Sequence, residues 1–329
     1  MKAIQFTRLG TPDVLEAVER PTPYPRPGEV LVAVRAAGVN LSDALMRQGR
    51  YAVEPPLPAV PGNEASGVVA AVGEGVKGLA VGDRVAASLF AAGVHVGGYA
   101  SHVVIDAAYA TPLPSALSFD EAVALMVQGT TALALVRHTE VAGRSVLVSA
   151  AGGGVGTLLV QLLRRAGARR VIAGASTEDK RQHSLALGAD AAVDYTAAGW
   201  VDEVRALTGG AGPDVVFESV GGQVTADSFA MLAPRGVLVV YGALNIQAFA
   251  FGVPELRQLI FRNQSLLGFA AVPLLTPQAL HDDLHELFGL AVRGELKIQI
   301  GARLALADAA QAHRLLESRR AIGKLILTP

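Results

Sequence analysis

The sequence predicts a two-domain α/β chain: a largely β, barrel-like part, and a doubly wound parallel sheet flanked by helices. Three observations predict it. The chain has 329 residues, more than the roughly 250–300 that one hydrophobic core supports. Up to about residue 120, short β-like runs are broken by glycine and proline, whereas later segments alternate between strand and helix periods. Within that second part, Ser145-Val146-Leu147-Val148-Ser149-Ala150-Ala151-Gly152-Gly153-Gly154-Val155-Gly156 runs from an apolar strand into a glycine cluster and then into a helix.

The elements follow in chain order. The chain opens on a strand, Met1-Lys2-Ala3-Ile4-Gln5-Phe6, with no apolar core of a secretory leader. Further strand runs fall at 30–39, 65–73 and 100–105, punctuated by turns such as Pro25-Arg26-Pro27-Gly28 and Val81-Gly82-Asp83-Arg84. A long helix is expected over 119–138. Strands then fall at 170–175, 191–193, 214–217 and 236–241, separated by helices at 178–187, 201–208 and 225–232. Strands alternating with helices pair in parallel and are covered on both faces, so they read as apolar throughout. A further strand is expected at 265–269. The tail returns to β runs around a helix at 307–318, so it rejoins the first domain. The expected division is 1–122 with 271–329, and 123–270.

Composition narrows the function classes. Hydrophobic residues make up 51% and charged residues 17%, ample for a globular core, and a net charge of −1 removes the electrostatic case for nucleic acid or an anionic membrane. No apolar run of the ~18 residues that cross a bilayer is expected, and the chain reads as cytoplasmic. There is no cysteine, which excludes disulfides, thiolate catalysis and cysteine-ligated zinc. Of seven histidines, His281 and His285 have an i, i+4 spacing, but Asp282-Asp283-Leu284-His285-Glu286-Leu287 reads as a solvated helical face without a third ligand. No metal is expected.

The glycine turn is the chemical signature. Strand, glycine turn and helix start together make an anion site, because glycines let the backbone approach a pyrophosphate and unpaired N–H groups point at it. A dinucleotide is therefore expected at Gly153, Gly154, Val155 and Gly156. NAD-specific folds place a carboxylate about 20 residues further on, at the tip of the second strand, to hold the ribose 2′-hydroxyl. This chain has Ala173-Gly174-Ala175-Ser176-Thr177 there, followed by Lys180 and Arg181. A basic group with neighbouring hydroxyls suits a 2′-phosphate, so NADPH is expected. Ser176 or Thr177 can also cap the next helix without preventing this.

These pieces resemble the zinc-free quinone oxidoreductases, the zeta-crystallin-like branch of the medium-chain dehydrogenase/reductase superfamily. The resemblance spans the whole chain. It runs through Gly10-Thr11-Pro12-Asp13-Val14-Leu15, Gly38-Val39-Asn40-Leu41-Ser42-Asp43, Arg47-Gln48-Gly49-Arg50-Tyr51 and Pro61-Gly62-Asn63-Glu64-Ala65-Ser66-Gly67. It continues through Val81-Gly82-Asp83-Arg84-Val85, Gln128-Gly129-Thr130-Thr131-Ala132, Asp194-Tyr195, Glu218-Ser219-Val220-Gly221 and the closing Gly323-Lys324-Leu325-Ile326-Leu327. The resemblance implies a GroES-like β-barrel catalytic domain beside a Rossmann domain. Zinc-dependent relatives carry Cys and His where this chain has Asn40 and Asn63. The resemblance also implies cofactor contacts from Ser176, Lys180 and Tyr195 at the 2′-phosphate. Asn40, Thr131, Ser219, Gly242 and Phe269 would lie along the rest of the cofactor, with Arg319 and Lys324 closing over it from the tail.

Tyr51 stands where related enoyl-thioester reductases place a proton donor, although Leu45 replaces the second aromatic that quinone reductases often carry. The implied reaction is hydride transfer from NADPH to a quinone or an α,β-unsaturated carbonyl, with Tyr51 and Asn40 as catalytic candidates. The plainer alternatives are a loop tyrosine packed over Pro55 and Pro56, and an asparagine that caps a helix. Asp43 reads as a structural partner, since nothing in the sequence argues for a raised pKa. Two other classes stay open: an enoyl-thioester reductase, and a non-catalytic NADPH- or RNA-binding protein. Ser265-Leu266-Leu267-Gly268-Phe269 is apolar enough to pair across a two-fold axis, so a homodimer is expected.

Overall fold

The computed structural model describes residues 1–242, 248 and 250–329. Strands β1 (Lys2–Gln5), β2 (Glu16–Glu19) and β3 (Glu29–Val39) lead to α1 (Leu41–Arg47). Then come β4 (Ala65–Val72), β5 (Arg84–Ala87), β6 (His102–Asp106), β7 (Ala110–Pro112), α2 (Phe119–Leu125) and α3 (Val127–Arg137). The alternating part holds β8 (Ser145–Val148), α4 (Gly154–Arg165), β9 (Arg170–Gly174), α5 (Glu178–Ala186) and β10 (Ala191–Val193). It goes on with α6 (Trp200–Leu207), β11 (Val215–Glu218), α7 (Gln223–Met231), β12 (Val237–Val240), α8 (Val253–Arg262) and β13 (Ser265–Gly268). The tail holds α9 (Pro277–Val292), β14 (Ile300–Ala305), α10 (Ala309–Glu317) and β15 (Lys324–Thr328).

The chain divides into two compact units, Met1–Thr130 with Val272–Pro329, and Thr131–Ala271. The first boundary lies inside α3 rather than after residue 122, because the apolar run from 119 onward gives no compositional mark of it. That run is also not one helix. Met126, at φ −69° and ψ −93°, leaves helical geometry and separates α2 from α3. Contrary to the sequence expectation, the stretch Phe119–Arg137 is long and apolar enough, by length and composition, to cross a membrane. Its apolarity has another cause: Ala122 to Met126 are all at most 2% exposed, so α2 is a core helix.

In the first unit, seven strands form a mainly antiparallel sheet in the order β14-β15-β3-β4-β5-β7, with β6 also pairing with β3. The β3–β4 pairing shifts register between Leu31 and Val32 and again between Val34 and Ala36, bulges that bend the sheet. Its core is built from Val30, Val32, Val39, Val85, Leu325 and Leu327. The tail belongs to this unit because β15 pairs antiparallel with β3, Leu325 opposite Val39.

In the second unit, six parallel strands run in the order β10-β9-β8-β11-β12-β13. The order reverses between β8 and β11, and in open parallel sheets ligands bind beyond the strand C-termini at such a reversal. All four residues of β8 and of β11 are buried, as a sheet covered on both faces requires. The stripe Leu158, Leu159, Leu162 and Leu163 of α4 is at most 4% exposed.

Candidate active site

The glycine turn sits at the C-terminal end of β8. Gly153 N-caps α4 in extended geometry, so the helix begins at Gly154, three residues before the apolar run suggested. Gly153, Gly154 and Val155 are half-exposed, and the first N–H groups of a helix have no intrahelical acceptor. Gly156 is indispensable for packing: a Cβ there would lie 2.5 Å from the Ala150 carbonyl oxygen and 2.6 Å from the Ala151 Cα. Ala150 itself turns the chain at φ 51°. The arrangement fits a pyrophosphate, with open N–H groups, close backbone approach and no acidic side chain in the turn.

The residues expected at a 2′-phosphate gather at the end of β9. The Lys180 stem crosses the glycine turn, since a Cβ on Gly152 would lie 2.7 Å from Lys180 Cβ and Cγ. The Tyr195 ring lies against the end of β9, 3.3 Å from where a Cβ of Gly174 would sit. Ser176 is half-exposed in the connection between β9 and α5. Thr177 caps α5 through Oγ1, which accepts the Lys180 N–H at 3.4 Å, so capping and phosphate binding coexist. Arg181 is occupied elsewhere, on Glu178 and on Asp194, both at 2.8 Å. Lys180 is thus the basic side chain laid across the glycine turn.

At the end of β11, Glu218 shapes the loop that carries Ser219. Its Oε1 accepts the Val220 and Gly221 N–H groups at 2.5 and 2.6 Å and the Thr225 hydroxyl at 3.2 Å. Burial pushes this carboxyl up from its ordinary range. Ser149 Oγ accepts the Ser219 N–H at 3.0 Å, and Gly242 packs against Ser219, where a Cβ would lie 2.5 Å from the serine Cβ. Phe269 follows β13, donating its N–H to the Val240 carbonyl, with its ring centroid 5.9 Å from that of His138. Thr131, half-exposed on α3, belongs to the same unit.

The first unit holds a buried polar cluster that the sequence reading only partly foresaw. Lys324 and Glu64 are both 0% exposed and paired, and Lys324 Nζ donates to Asn40 Oδ1 at 2.7 Å. Asn40 Nδ2 donates to Glu64 Oε1 at 2.7 Å and to Asn63 Oδ1 at 2.9 Å. Glu64 Oε2 accepts the Val127 N–H at 2.8 Å. Two expectations are corrected here. Lys324 does not close over a cofactor, because its ammonium is sealed in this cluster. Asn40 does not offer a free amide to a substrate, because both of its donor hydrogens and its oxygen are engaged. A signal was available: a lysine heading the apolar run Leu325-Ile326-Leu327 can be buried only with a charged partner. Arg319, also expected over the cofactor, is exposed at φ 57° just after α10.

Asp43 departs furthest from expectation. It is 1% exposed, and Oδ2 accepts the Asn40 N–H at 2.8 Å and the Tyr99 hydroxyl at 3.2 Å. Its Oδ1 has no partner among the described residues. Burial raises its pKa to about 7, against the opposing pull of the Asn40 N–H and Lys324. Tyr99 also meets His313 Nε2 at 3.1 Å, and burial lowers the pKa of that imidazole to about 3. Tyr51 is half-buried, and burial, followed by the nearby Asp43 charge, pushes its phenol up, which keeps the O–H in place as a donor.

Comparison with known proteins places these features in a family context. Residues 26–115 match the alcohol dehydrogenase GroES-like domain, and residues 154–287 match the family described as zinc-binding dehydrogenase. A quinone oxidoreductase of Pseudomonas aeruginosa is 36% identical over 332 residues, covering 100% of this chain and 99% of its own. The crystal structure of Escherichia coli quinone oxidoreductase complexed with NADPH superposes with a TM-score of 0.91 at 34% identity, covering 100% of both chains. A Pseudomonas syringae quinone oxidoreductase structure gives 0.89 at 35% identity, over 100% of this chain and 99% of that one. The zinc in the second family's description does not fit this site. Two amide side chains replace anionic or imidazole ligands, and the Lys324 ammonium is already bonded to Glu64 and Asn40, where a second cation would be repelled.

Proposed function

The chain belongs to the zinc-free quinone oxidoreductase branch of the medium-chain dehydrogenase/reductase superfamily, and we propose that it uses NADPH to reduce quinones and α,β-unsaturated carbonyl compounds. The observation that carries the cofactor choice is the tip of β9. Lys180 lies against Gly152 of the glycine turn, the Tyr195 ring against Gly174 at the end of β9 and Ser176 in the connection that follows, and the sequence at this strand tip carries no carboxylate to hold a 2′-hydroxyl. When bound, NADPH supplies a hydride to the electron-poor carbon of the acceptor.

The chain's own residues do the rest. The open N–H groups at the start of α4 hold the pyrophosphate, and Lys180 neutralises the 2′-phosphate. Glu218 fixes the loop that presents Ser219. Tyr51 donates a hydrogen bond to the acceptor's oxygen and gives the reduced enone its proton, which water then restores to the phenolate. Preorganised donors of this kind are each worth ~2.7–4 kcal/mol in the transition state.

NADPH oxidation measured in parallel with 1,4-naphthoquinone, a simple enone and crotonyl-coenzyme A tests the reading. Turnover of the quinone or the enone is expected. NADPH binding without turnover of any acceptor would refute it. Tyr51→Phe should slow enone reduction more than quinone reduction, since reduced quinone oxygens can take protons from water.

A homodimer through β13 accompanies this reading. All four residues of β13 are exposed along one edge of the parallel sheet. On the preceding α8, Val253, Leu256, Ile260 and Phe261 are 64, 50, 63 and 82% exposed. An apolar helix face beside an open strand edge supports a second copy as its cover. A single-chain mass by light scattering would exclude it.

A further inference from the structure

In the first unit, three buried groups from separate elements share one hydroxyl. Tyr99, ahead of β6, lies with its phenol oxygen 3.2 Å from Asp43 Oδ2 on α1 and 3.1 Å from His313 Nε2 on α10. Asp43, Tyr99 and His313 are 1, 0 and 0% exposed, and the two rings meet edge to face with centroids 5.8 Å apart. A phenol has one hydrogen, so it donates to one of these neighbours and accepts from the other. With Asp43 ionised, the carboxylate can only accept, so Tyr99 donates to it and His313 donates from Nε2. With Asp43 protonated, the acid hydrogen belongs on Oδ2, because Oδ1 meets no partner among the described residues and a buried O–H left there would go unmatched. That hydrogen goes to the Tyr99 oxygen, Tyr99 turns its own to Nε2, and the imidazole carries its hydrogen on Nδ1 instead. The state of the carboxyl thus fixes the tautomer of the imidazole.

The two states differ by one proton. A proton from water bonds to His313 Nδ1, the Nε2–H bond breaks as that hydrogen bonds to the Tyr99 oxygen, and the Tyr99 hydrogen moves to Asp43 Oδ2. Nδ1 meets no partner among the described residues, so it is the end of the series that no side chain holds. We propose that His313, Tyr99 and Asp43 form a proton relay, through which a carboxyl sealed in the first unit loads and unloads its proton. Burial lowers the imidazole pKa to about 3 and pushes the Tyr99 phenol well above its ordinary range, so neither ring holds the proton as a charge. Asp43 faces the Asn40 N–H, Tyr99, Lys324, Glu64 and Tyr51, while Arg47, paired with Glu317, acts on Tyr99 and His313. The proposal rests on the reductase reading above. Tyr51 is the stronger acid when no negative charge stands beside it, so loading Asp43 readies the phenol to give the enone its proton. His313 and Tyr99 are positioning residues that act through Asp43.

Nitrogen NMR of the full chain, isotopically labelled at histidine, tests this. His313 should carry its hydrogen on Nδ1 at pH 5 and on Nε2 at pH 9, with the exchange centred on the ionisation of Asp43 at about 7. Asp43→Asn should abolish the exchange by removing the titrating group, and Tyr99→Phe by breaking the series. In turnover, kcat with the enone should fall as pH rises through the same midpoint, and Asp43→Asn should lose that inflection. Tyr99→Phe removes a donor to the carboxylate, so it should move the midpoint up by about one to two units, the value of one hydrogen bond to a charged group. A merely packing role for Tyr99 would instead lower kcat equally at every pH. One tautomer at both pH values would overturn the proposal, as would an exchange that survives Asp43→Asn; the wild-type spectra decide even where a variant does not fold. If the wild type turns over no acceptor, the reductase reading fails, while the tautomer measurement still decides the relay.

Discussion

Replacing Asp43 by Asn should invert the usual effect of removing a buried polar partner, and it should do so in a pH-dependent way. The carboxyl is 1% exposed, and its pKa moves from 3.8 to about 7 chiefly because burial disfavours the charged form. A folded-state pKa above the unfolded one means that the proton stabilises the fold. That stabilisation is complete below pH 3.8 and is lost as pH rises through about 7. At roughly 1.36 kcal/mol per unit, the full loss is about 4 kcal/mol, of which about 3 kcal/mol falls between pH 5 and pH 9. The groups around Asp43 are the Asn40 N–H, Tyr99, Lys324, Glu64 and Tyr51. Tyr99, pushed well above the ordinary range by burial, and His313 beyond it, at about 3, stay neutral throughout this window. In Asp43→Asn the amide oxygen can keep both hydrogen bonds that Oδ2 accepts, at 2.8 and 3.2 Å, and nothing titrates. Urea unfolding of both proteins at pH 5, 7 and 9 is the assay. The difference in stability should move in the variant's favour by about 3 kcal/mol from the lowest to the highest pH. A difference that stays constant, or moves in favour of wild type as pH rises, would refute the reasoning.

Other outcomes follow from the same geometry. Lys180→Ala should raise the KM for NADPH roughly ten- to a hundredfold, the value of one charge-assisted hydrogen bond, and leave that for NADH nearly unchanged; equal increases for both would remove Lys180 from the 2′-phosphate. Gly156→Ala places a Cβ 2.5 Å from a backbone oxygen, so it should cost ~1–3 kcal/mol in urea unfolding and weaken NADPH binding in titration. Lys324→Met leaves Glu64 buried without its cation and should destabilise by about 3–5 kcal/mol, with partial recovery in Lys324→Met/Glu64→Gln, both read by denaturation. No recovery in the double variant would mean that the hydrogen bond lost at Asn40 Oδ1, not the unpaired Glu64 charge, carries the cost.

The local signals in the sequence were strong because each is satisfied within a few residues. An apolar strand, a glycine turn and an amphipathic helix from Ser145 to Arg165 define a dinucleotide cradle by backbone geometry alone, and the alternation after it fixes a parallel sheet. The absence of cysteine and the Asn40 and Asn63 positions pointed away from zinc for the same reason: ligand chemistry is a property of residue type. What failed was any statement about how far-separated side chains pair. Asn40 and Lys324 each carried a plausible local role, and only the pairing of β15 with β3 reveals that they engage one another across 284 positions of chain. Asp43 looked ordinary because a raised pKa comes from the surroundings, here burial that outweighs the opposing hydrogen bonds from Asn40 and Tyr99, and not from the residue or its sequence neighbours. The sequence by itself determined the fold class and the cofactor cradle, where short-range backbone rules suffice. Tertiary structure alone decided which polar groups are sealed in pairs, because burial and long-range hydrogen bonding exist only once the strands have met.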